Sequence, residues 1–356
     1  MPESETIKRV LIVTDAWHPQ VNGVVRTLMN TIRGLEDLGY QTALVTPQDF
    51  RTVPCPSYPE IRLSLVTAHR IEKIIDQLAP DALHIATEGP LGWAARRAAI
   101  RRQWAFTTAY HTRFPEYVHA RTGLPLKWLY SAIRRFHAPA TAVLAPTHSI
   151  IKTLQERQFK NVAYWSRGVD HEIFYPRIHQ GRINREHPVF LYAGRLAVEK
   201  NIKAFLDLDL PGEKWVAGEG PLEKSLKKTY QNIRWIGVVS QHELADIYSR
   251  ADVFVFPSKT DTFGLVLVEA MACGLPVAAF PVEGPMDVVA SSGAGVLSDD
   301  LRDACLRALE IPRSTAIARA RVFTWETATA QFEKALVSMR HLPIYPSPSS
   351  HLKEAL

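Results

Sequence analysis

Five side chains in this sequence have the types and spacing to handle a charged, hydroxyl-rich ligand. Asp261 and Glu269 are two carboxylates with seven residues between them. Asp261 lies in a polar turn after the short apolar run Val253 to Phe256, which reads as a buried strand. Glu269 lies in the apolar helix that follows Gly264 and is closed by Gly274 and Pro276. A strand, a loop and a helix start form an anion site, because the first N–H groups of the helix have no partner within it. Arg195 and Lys200 are two cations five apart after a second apolar run, Val189 to Ala193. On spacing alone they read as a solvated surface pair. Yet Arg offers a planar fork and Lys a point charge, which together suit a diphosphate. The fifth, His111, directly follows the apolar run Phe106 to Tyr110 and sits at a strand end. The first helix is entered through Pro19-Gln20-Val21-Asn22-Gly23, a loop that lacks the G-x-G-x-x-G spacing of a dinucleotide site.

The string Pro257 to Pro276 resembles the signature of the retaining nucleotide-sugar glycosyltransferases of family four, which have the GT-B fold. That signature is an acid, a Phe-Gly pair and a second acid at this spacing. The family usually has Glu first; this chain has Asp261, one methylene shorter. The strings Gly194-Arg195 to Lys200-Asn201, Tyr110-His111-Thr112, Gly168-Val169-Asp170 and Gly284-Pro285-Met286-Asp287 are similar to the family as well. The resemblance implies that Asp261 contacts the donor sugar and that Glu269 holds the nucleotide ribose. Backbone N–H groups at Phe263, Gly264 and Leu265 would face sugar and phosphate. Arg195 and Lys200 would hold the diphosphate, and Gly237 and Val238 the base. Asn22, Gly23, Glu88 and His111 would face the acceptor, with Gly23 also close to the donor phosphate. His111, by ring or carbonyl, would stabilise positive charge at the anomeric carbon. N-capping is an equally open role for Glu88.

The same resemblance implies an α/β protein of the GT-B type: two Rossmann-like domains with parallel sheets facing an interdomain cleft. No metal and no cofactor beyond the nucleotide sugar are implied, since Arg195 and Lys200 take a cation's place. Asp207-Leu208-Asp209 follows a predicted helix and reads as chance. Among the family's branches the chain is most similar to sulfoquinovosyl-, glucuronosyl- and mannosyl-transferases acting on lipids. The expected reaction is retaining, metal-independent hexosyl transfer from a UDP- or GDP-sugar to a diacylglycerol-type lipid, giving an α-glycoside. Two readings stay open beside it. One is a GDP-mannose-dependent α-mannosyltransferase acting on a phosphoinositol-type lipid or a saccharide. The other is a catalytically dead, membrane-associated nucleotide-sugar-binding protein, motivated by Asp261.

At 356 residues the chain has room for two domains. The expected division is 1–176 for the acceptor, a linker at 177–187, and 188–335 for the nucleotide sugar, with 336–356 free to pack back on the first domain. Strands are expected near residues 10–15, 42–46, 82–86, 106–110, 142–146 and 162–165, and again near 189–193, 215–217, 233–237, 253–256 and 278–280. The Pro-rich stretch around Pro54, Pro56 and Pro59 reads as a loop. Cys55, Cys273 and Cys305 have no metal-ligand spacing and fit a reducing compartment. The start of the chain lacks the apolar core of a signal peptide, and no run has the ~18 apolar residues of a spanning helix. The expected location is therefore cytoplasmic, at the inner face of a membrane.

Charge points to that surface. Residues 1–176 hold 21 basic and 15 acidic residues, whereas 177–356 hold 21 of each. Nine of the basic residues and a single acid, Glu116, fall within 93–137. No string characteristic of nucleic-acid recognition accompanies them. An anionic membrane is the expected partner. Leu126 to His137 is amphipathic, with Trp128, Leu129, Ala132, Ile133 and Phe136 assigned to one face. That face either enters a membrane interface or packs on the sheet.

Overall fold

The computed structural model describes residues 7–20, 22–55, 58–177 and 187–340, without the side chains of 58–60 and 120–121. Two six-stranded sheets organise it, and every strand pairing within them is parallel. Across the first sheet the strands run Gln41–Val45, Arg9–Val13, Ala82–Ile85, Thr107–Ala109, Ala142–Ala145 and Val162–Tyr164. Helices cover both faces, so a central strand reads as an unbroken apolar run. Leu11 and Val13 enter a core with Leu83, Ile85 and Ala95, while Val10 and Ile12 point the other way, to Leu28, Leu35 and Phe332.

The second sheet runs Arg234–Gly237, Glu213–Ala217, Val189–Ala193, Val253–Phe256, Val277–Ala279 and Gly295–Leu297. Its two faces divide in the same way. Leu191 and Ala193 pack with Leu267 and Met271, and Phe190 and Tyr192 with Leu301 and Ala304. In sheet order this half reads third, second, first, fourth, fifth, sixth. Successive crossovers therefore leave in opposite directions from its first and fourth strands. Ligands bind in the crevice outside the carboxyl ends of strands at such a switch point. Here that crevice lies between the loops after Ala193 and after Phe256, which carry Arg195, Lys200 and Asp261. The corresponding point in the first sheet lies between the loops after Val13 and Ile85, which carry Asn22 and Glu88.

The expected strands are all present, with ends moved by a residue or two. Three expectations need correction. Thr52–Cys55 and Tyr58–Ser64 form an antiparallel hairpin where the prolines suggested a loop. It stands apart from both main sheets as a two-stranded ribbon, whose two strands are both edges and tolerate proline. The second domain does not run on to 335. The chain crosses back by Thr324, and the helix Trp325–Ala335 buries Ala328 and Phe332 in the core of the first sheet. An amphipathic pattern shows that a helix has a buried face, not which core receives it. Gly168 permits the crossing, because a Cβ there would lie 2.3 Å from the backbone nitrogen of Trp325. Of the tail, Met339 pairs with Asp81 and Ala105 at the first sheet; residues 341–356 and linker positions 178–186 lie outside the described residues.

The third correction concerns Leu126–His137. Tyr130, Ile133 and Phe136 are buried, but Trp128 is 67% exposed and Ala132 is exposed. Trp128 therefore belongs to the opposite face, beside Lys127 and Arg135. Among the described residues no helix is long and apolar enough to cross a membrane.

Candidate active site

Hydrogen bonds and ion pairs close the cleft between the two sheets around the predicted residues. Thr262 donates its hydroxyl to the carbonyl of His111 at 2.7 Å, and the Thr147 hydroxyl donates to the Thr262 carbonyl at 3.3 Å. Arg113 and Thr153 of the first half both reach Glu283, at 2.7 and 2.5 Å. Arg26 reaches Glu269 at 2.7 Å. His111, Asp261 and Glu269, which are far apart in sequence, thus share one cleft.

Asp261 and Lys200 are brought together directly, Nζ to Oδ1 at 2.5 Å. Burial disfavours the Lys200 charge, but Asp261, Tyr117 and Tyr192 more than offset this and hold its pKa above the ordinary lysine value. The second oxygen, Asp261 Oδ2, is buried and has no partner among the described residues. A carboxylate oxygen in that state has capacity left for a ligand hydroxyl. Tyr117, from the helix Phe114–Thr122, was not foreseen; its only sequence signal was its place shortly after the string His111-Thr112-Arg113. It is half-buried beside Thr260 and the Lys200–Asp261 pair.

Glu269 is placed differently from the expectation of a ribose ligand alone. Its carboxylate is 5% exposed, pairs with Arg26 through Oε1, and accepts from the Tyr248 hydroxyl at 3.5 Å through Oε2. Burial raises its pKa, and Arg26 and Tyr248 oppose the rise. Arg26 rides on the helix Gly23–Asp37, so the first half of the chain supplies the counter-ion of the second half's buried acid. Arg26 comes a few residues after the glycine loop, and nothing in its local sequence marks it.

Around the switch point the strand ends are built from glycine. Gly194, Gly218 and Gly237 end three adjacent strands with φ of +153°, +121° and +82°. A Cβ on Gly218 would lie 2.1 Å from the Gly194 carbonyl oxygen. Nothing lies within 4 Å of a Cβ built on Gly237, and Val238 beside it is exposed, leaving that rim open. Arg195 is half-buried, and its carbonyl accepts from the Tyr192 hydroxyl at 2.8 Å. Gly264, at φ +84°, caps the helix Leu265–Ala272 without a side-chain bond. Phe263 itself is a packing residue, edge-on to Phe323, so only its backbone faces outward chemistry.

On the side of the first sheet, Asn22 is the N-cap of Gly23–Asp37. Val24 and Val25 donate to its Oδ1 at 3.0 Å, and its amide donates to Gln20. Its side chain is thus committed to capping. Gly23 has an ordinary φ, and a Cβ there would only touch Leu265 at 3.7 Å; the glycine matters as a gap between the two halves. Glu88 does not cap the helix Pro90–Arg101. Asp15 does, accepting from Leu91 and Gly92 at 2.8 and 3.1 Å and from the Thr87 hydroxyl at 2.9 Å. Glu88 instead meets His137 Nε2 at 3.1 Å, while His137 Nδ1 meets Thr108.

His111 is half-buried with its Nε2 enclosed, and desolvation of the ring first, then Arg167, His84 and His137, pushes its pKa well below the usual histidine range. It is neutral at physiological pH and unsuited to act as a base. Among the described residues no group of three or more His, Cys, Asp or Glu is placed to hold a metal ion. Asp207 accepts from the Tyr230 hydroxyl, away from the cleft.

The chain is similar to known glycosyltransferases along most of its length. Residues 21–173 match Glycosyltransferase Family 4 and residues 177–309 match Glycosyl transferases group 1. A sulfoquinovosyl transferase (SQD2) of Arabidopsis thaliana is 30% identical over 83% of this chain, which spans 64% of that protein's length. A GDP-mannose-dependent alpha-mannosyltransferase of Mycobacterium tuberculosis is 28% identical over 81% of this chain and 83% of its own. An alpha-monoglucosyldiacylglycerol synthase of Acholeplasma laidlawii is 25% identical over 76% of this chain and 79% of its own. In structure, the sucrose-phosphate synthase of Thermosynechococcus elongatus superposes with a TM-score of 0.74 at 19% identity, over 92% of this chain and 98% of that one.

Proposed function

From the premise that this chain belongs to the glycosyltransferases of group 1 and family 4, with the GT-B fold, we propose that it moves a hexose from a UDP- or GDP-sugar to a diacylglycerol-type lipid with retention of configuration. The observation that carries the lipid acceptor is the face left uncovered on the acceptor half. Leu124 and Trp128 are exposed beside Lys127 and Arg135, and all four precede or lie on the helix whose Tyr130 donates to Glu116, the ion-pair partner of Arg113. An aromatic and two cations on one exposed face suit the interface of an anionic leaflet, where each cation is worth about 1 kcal/mol. The similarity to an alpha-monoglucosyldiacylglycerol synthase supports the same acceptor. The mannosyltransferase relative keeps GDP-mannose as an alternative donor.

In this reading the diphosphate lies at the start of Leu265–Ala272, with Arg195 and Lys200 as its cations. Glu269 keeps lone pairs for the ribose hydroxyls while it holds Arg26. Asp261 accepts from a sugar hydroxyl through Oδ2. The acceptor hydroxyl attacks the anomeric carbon from the face that the phosphate leaves. The bond from that carbon to the phosphate oxygen breaks, the new glycosidic bond forms, and the acceptor's proton passes to the leaving phosphate. Positioning and charge stabilisation supply the rate. Activity should persist in EDTA, because the two cations serve where a metal would.

The test is co-sedimentation with neutral and anionic vesicles at low and high salt. Wild type should bind anionic vesicles in a salt-sensitive way, and Trp128→Ser or Lys127→Glu/Arg135→Glu should release it. Arg134 is unsuitable as a control, since it donates to the Arg157 carbonyl and Gln158. Equal binding to both vesicle types, or none, would contradict a lipid acceptor.

A further inference from the structure

We propose that Arg167 is a positioning residue, holding the His111 ring as its Nε2–H tautomer so that it is a fixed hydrogen-bond donor into the cleft. The inference rests on the proposed cleft chemistry, in which His111 faces the transferred sugar.

Arg167 comes just after the strand Val162–Tyr164 and is 4% exposed. Among the described residues it has no carboxylate partner. Its Nη1 donates to the carbonyls of Trp165 and Ser166 at 2.6 and 2.8 Å. Its Nη2 meets His111 Nδ1 at 3.3 Å. The guanidinium lies 4.2 Å over the Trp165 ring, and that ring stands edge-on to His111 at 5.5 Å. Arg167 and Trp165 thus grip the imidazole from one side.

The chemistry follows from donor counting. A guanidinium has only donors, so the nitrogen it meets must present a lone pair. Nδ1 is then the acceptor, and the ring's one proton is on Nε2. That Nε2 is buried and has no partner among the described residues. A buried N–H without an acceptor calls for one. An orphan acceptor, Asp261 Oδ2, is carried by the residue next to Thr262, whose hydroxyl donates to the His111 carbonyl. One unmatched donor and one unmatched acceptor across a cleft suit a ring bearing hydroxyls.

Arg167 also settles what His111 cannot do. Burial brings the Arg167 pKa down to about 9, so it stays charged at neutral pH. A second proton on the ring would sit on Nδ1, against that cation. Of the other titratable groups, His84 and His137 supply no negative charge, Glu88 acts on His137, and Asp261 is already paired with Lys200. His111 therefore donates but does not take up a proton, which agrees with the proposed passage of the acceptor's proton to the leaving phosphate.

The test is long-range proton–nitrogen NMR of the whole protein labelled at histidine, with His111→Gln to assign the signal. Wild-type His111 should show the Nε2–H tautomer and no titration between about pH 5 and 8. The Nδ1–H tautomer, or an imidazolium forming in that window, would overturn the proposal without any variant. In Arg167→Met the tautomers should mix and the ring should take a proton at higher pH. Its kcat should fall roughly ten- to a hundredfold, less than the 10²–10³ lost with an outright donor, with nucleoside diphosphate affinity unchanged. Arg167→Lys, which keeps a cationic donor, should recover the tautomer and part of the rate. A loss of kcat with unchanged tautomer and titration would reduce Arg167 to scaffold. Because the NMR readout needs no turnover, it separates this proposal from the choice of donor or acceptor.

Discussion

Removing the Arg26 guanidinium should destabilise the protein more at about pH 8 than at about pH 5. The pair Arg26–Glu269 spans 2.7 Å, and its carboxylate is 5% and its guanidinium 25% exposed. At an effective dielectric near 20, unit charges at contact are worth about 4 kcal/mol. Solvent reaching the arginine cuts that to about 2 kcal/mol. Burial already raises the Glu269 pKa above its unfolded value, and Arg26 opposes the rise. An acid with a raised folded pKa keeps its proton longer in the native state. Its contribution is therefore whole below the unfolded value and is lost as pH rises through the folded one. Arg26→Met takes away the opposing term and extends that window upward. Each further pH unit in the window costs about 1.4 kcal/mol. The extra loss of about 2 kcal/mol corresponds to roughly 4 °C in Tm for a chain of this size. Scanning calorimetry of wild type, Arg26→Met and the double variant Arg26→Met/Glu269→Gln would measure it. The double variant should lose the pH dependence. An equal Tm drop at both pH values, or a larger one in acid, would refute the reasoning.

Lys200→Ala and Arg195→Ala should each lower kcat by roughly 10²–10³ while the fold persists, as transition-state cations do; near-normal turnover in either would exclude it from the phosphate site. Asp261→Ala should keep affinity for free UDP or GDP, whereas Glu269→Ala should lose about 1.5–3 kcal/mol of it by calorimetry; equal losses would reject separate contacts to sugar and ribose. Gly89→Ala should cost about 1–3 kcal/mol on chemical denaturation, because its Cβ would sit 2.4 Å from the Asp15 carboxyl carbon that caps Pro90–Arg101; an unchanged midpoint would show that the cap can move.

The parallel strands were legible because each is a short, unbroken apolar run, and the loops at their ends were legible because Gly, Asp, Arg and Lys interrupt those runs. Lys200 and Asp261 were both identified, yet not as partners, since their pairing is set by the meeting of two loops 61 residues apart. Arg26 left no mark in the sequence, and Tyr117 only its place shortly after His111-Thr112-Arg113. Their place in the site depends on how the two halves meet, which no local pattern encodes. Arg167 lay in a string already similar to the family's Gly-Val-Asp, but its function comes from a contact to a residue 56 positions away. Trp128 was misassigned because an aromatic at a helix position is ordinarily taken for core.

The reaction itself gives the most direct test. Purified protein would be incubated with UDP- and GDP-hexoses and vesicles containing diacylglycerol, and the lipid product examined by NMR and mass spectrometry. The account predicts an α-linked hexosyl lipid and an equal amount of nucleoside diphosphate, both formed roughly 10²–10³-fold more slowly in Lys200→Ala. A β-linked product, or nucleoside diphosphate released at the same rate with no glycolipid formed, would contradict it.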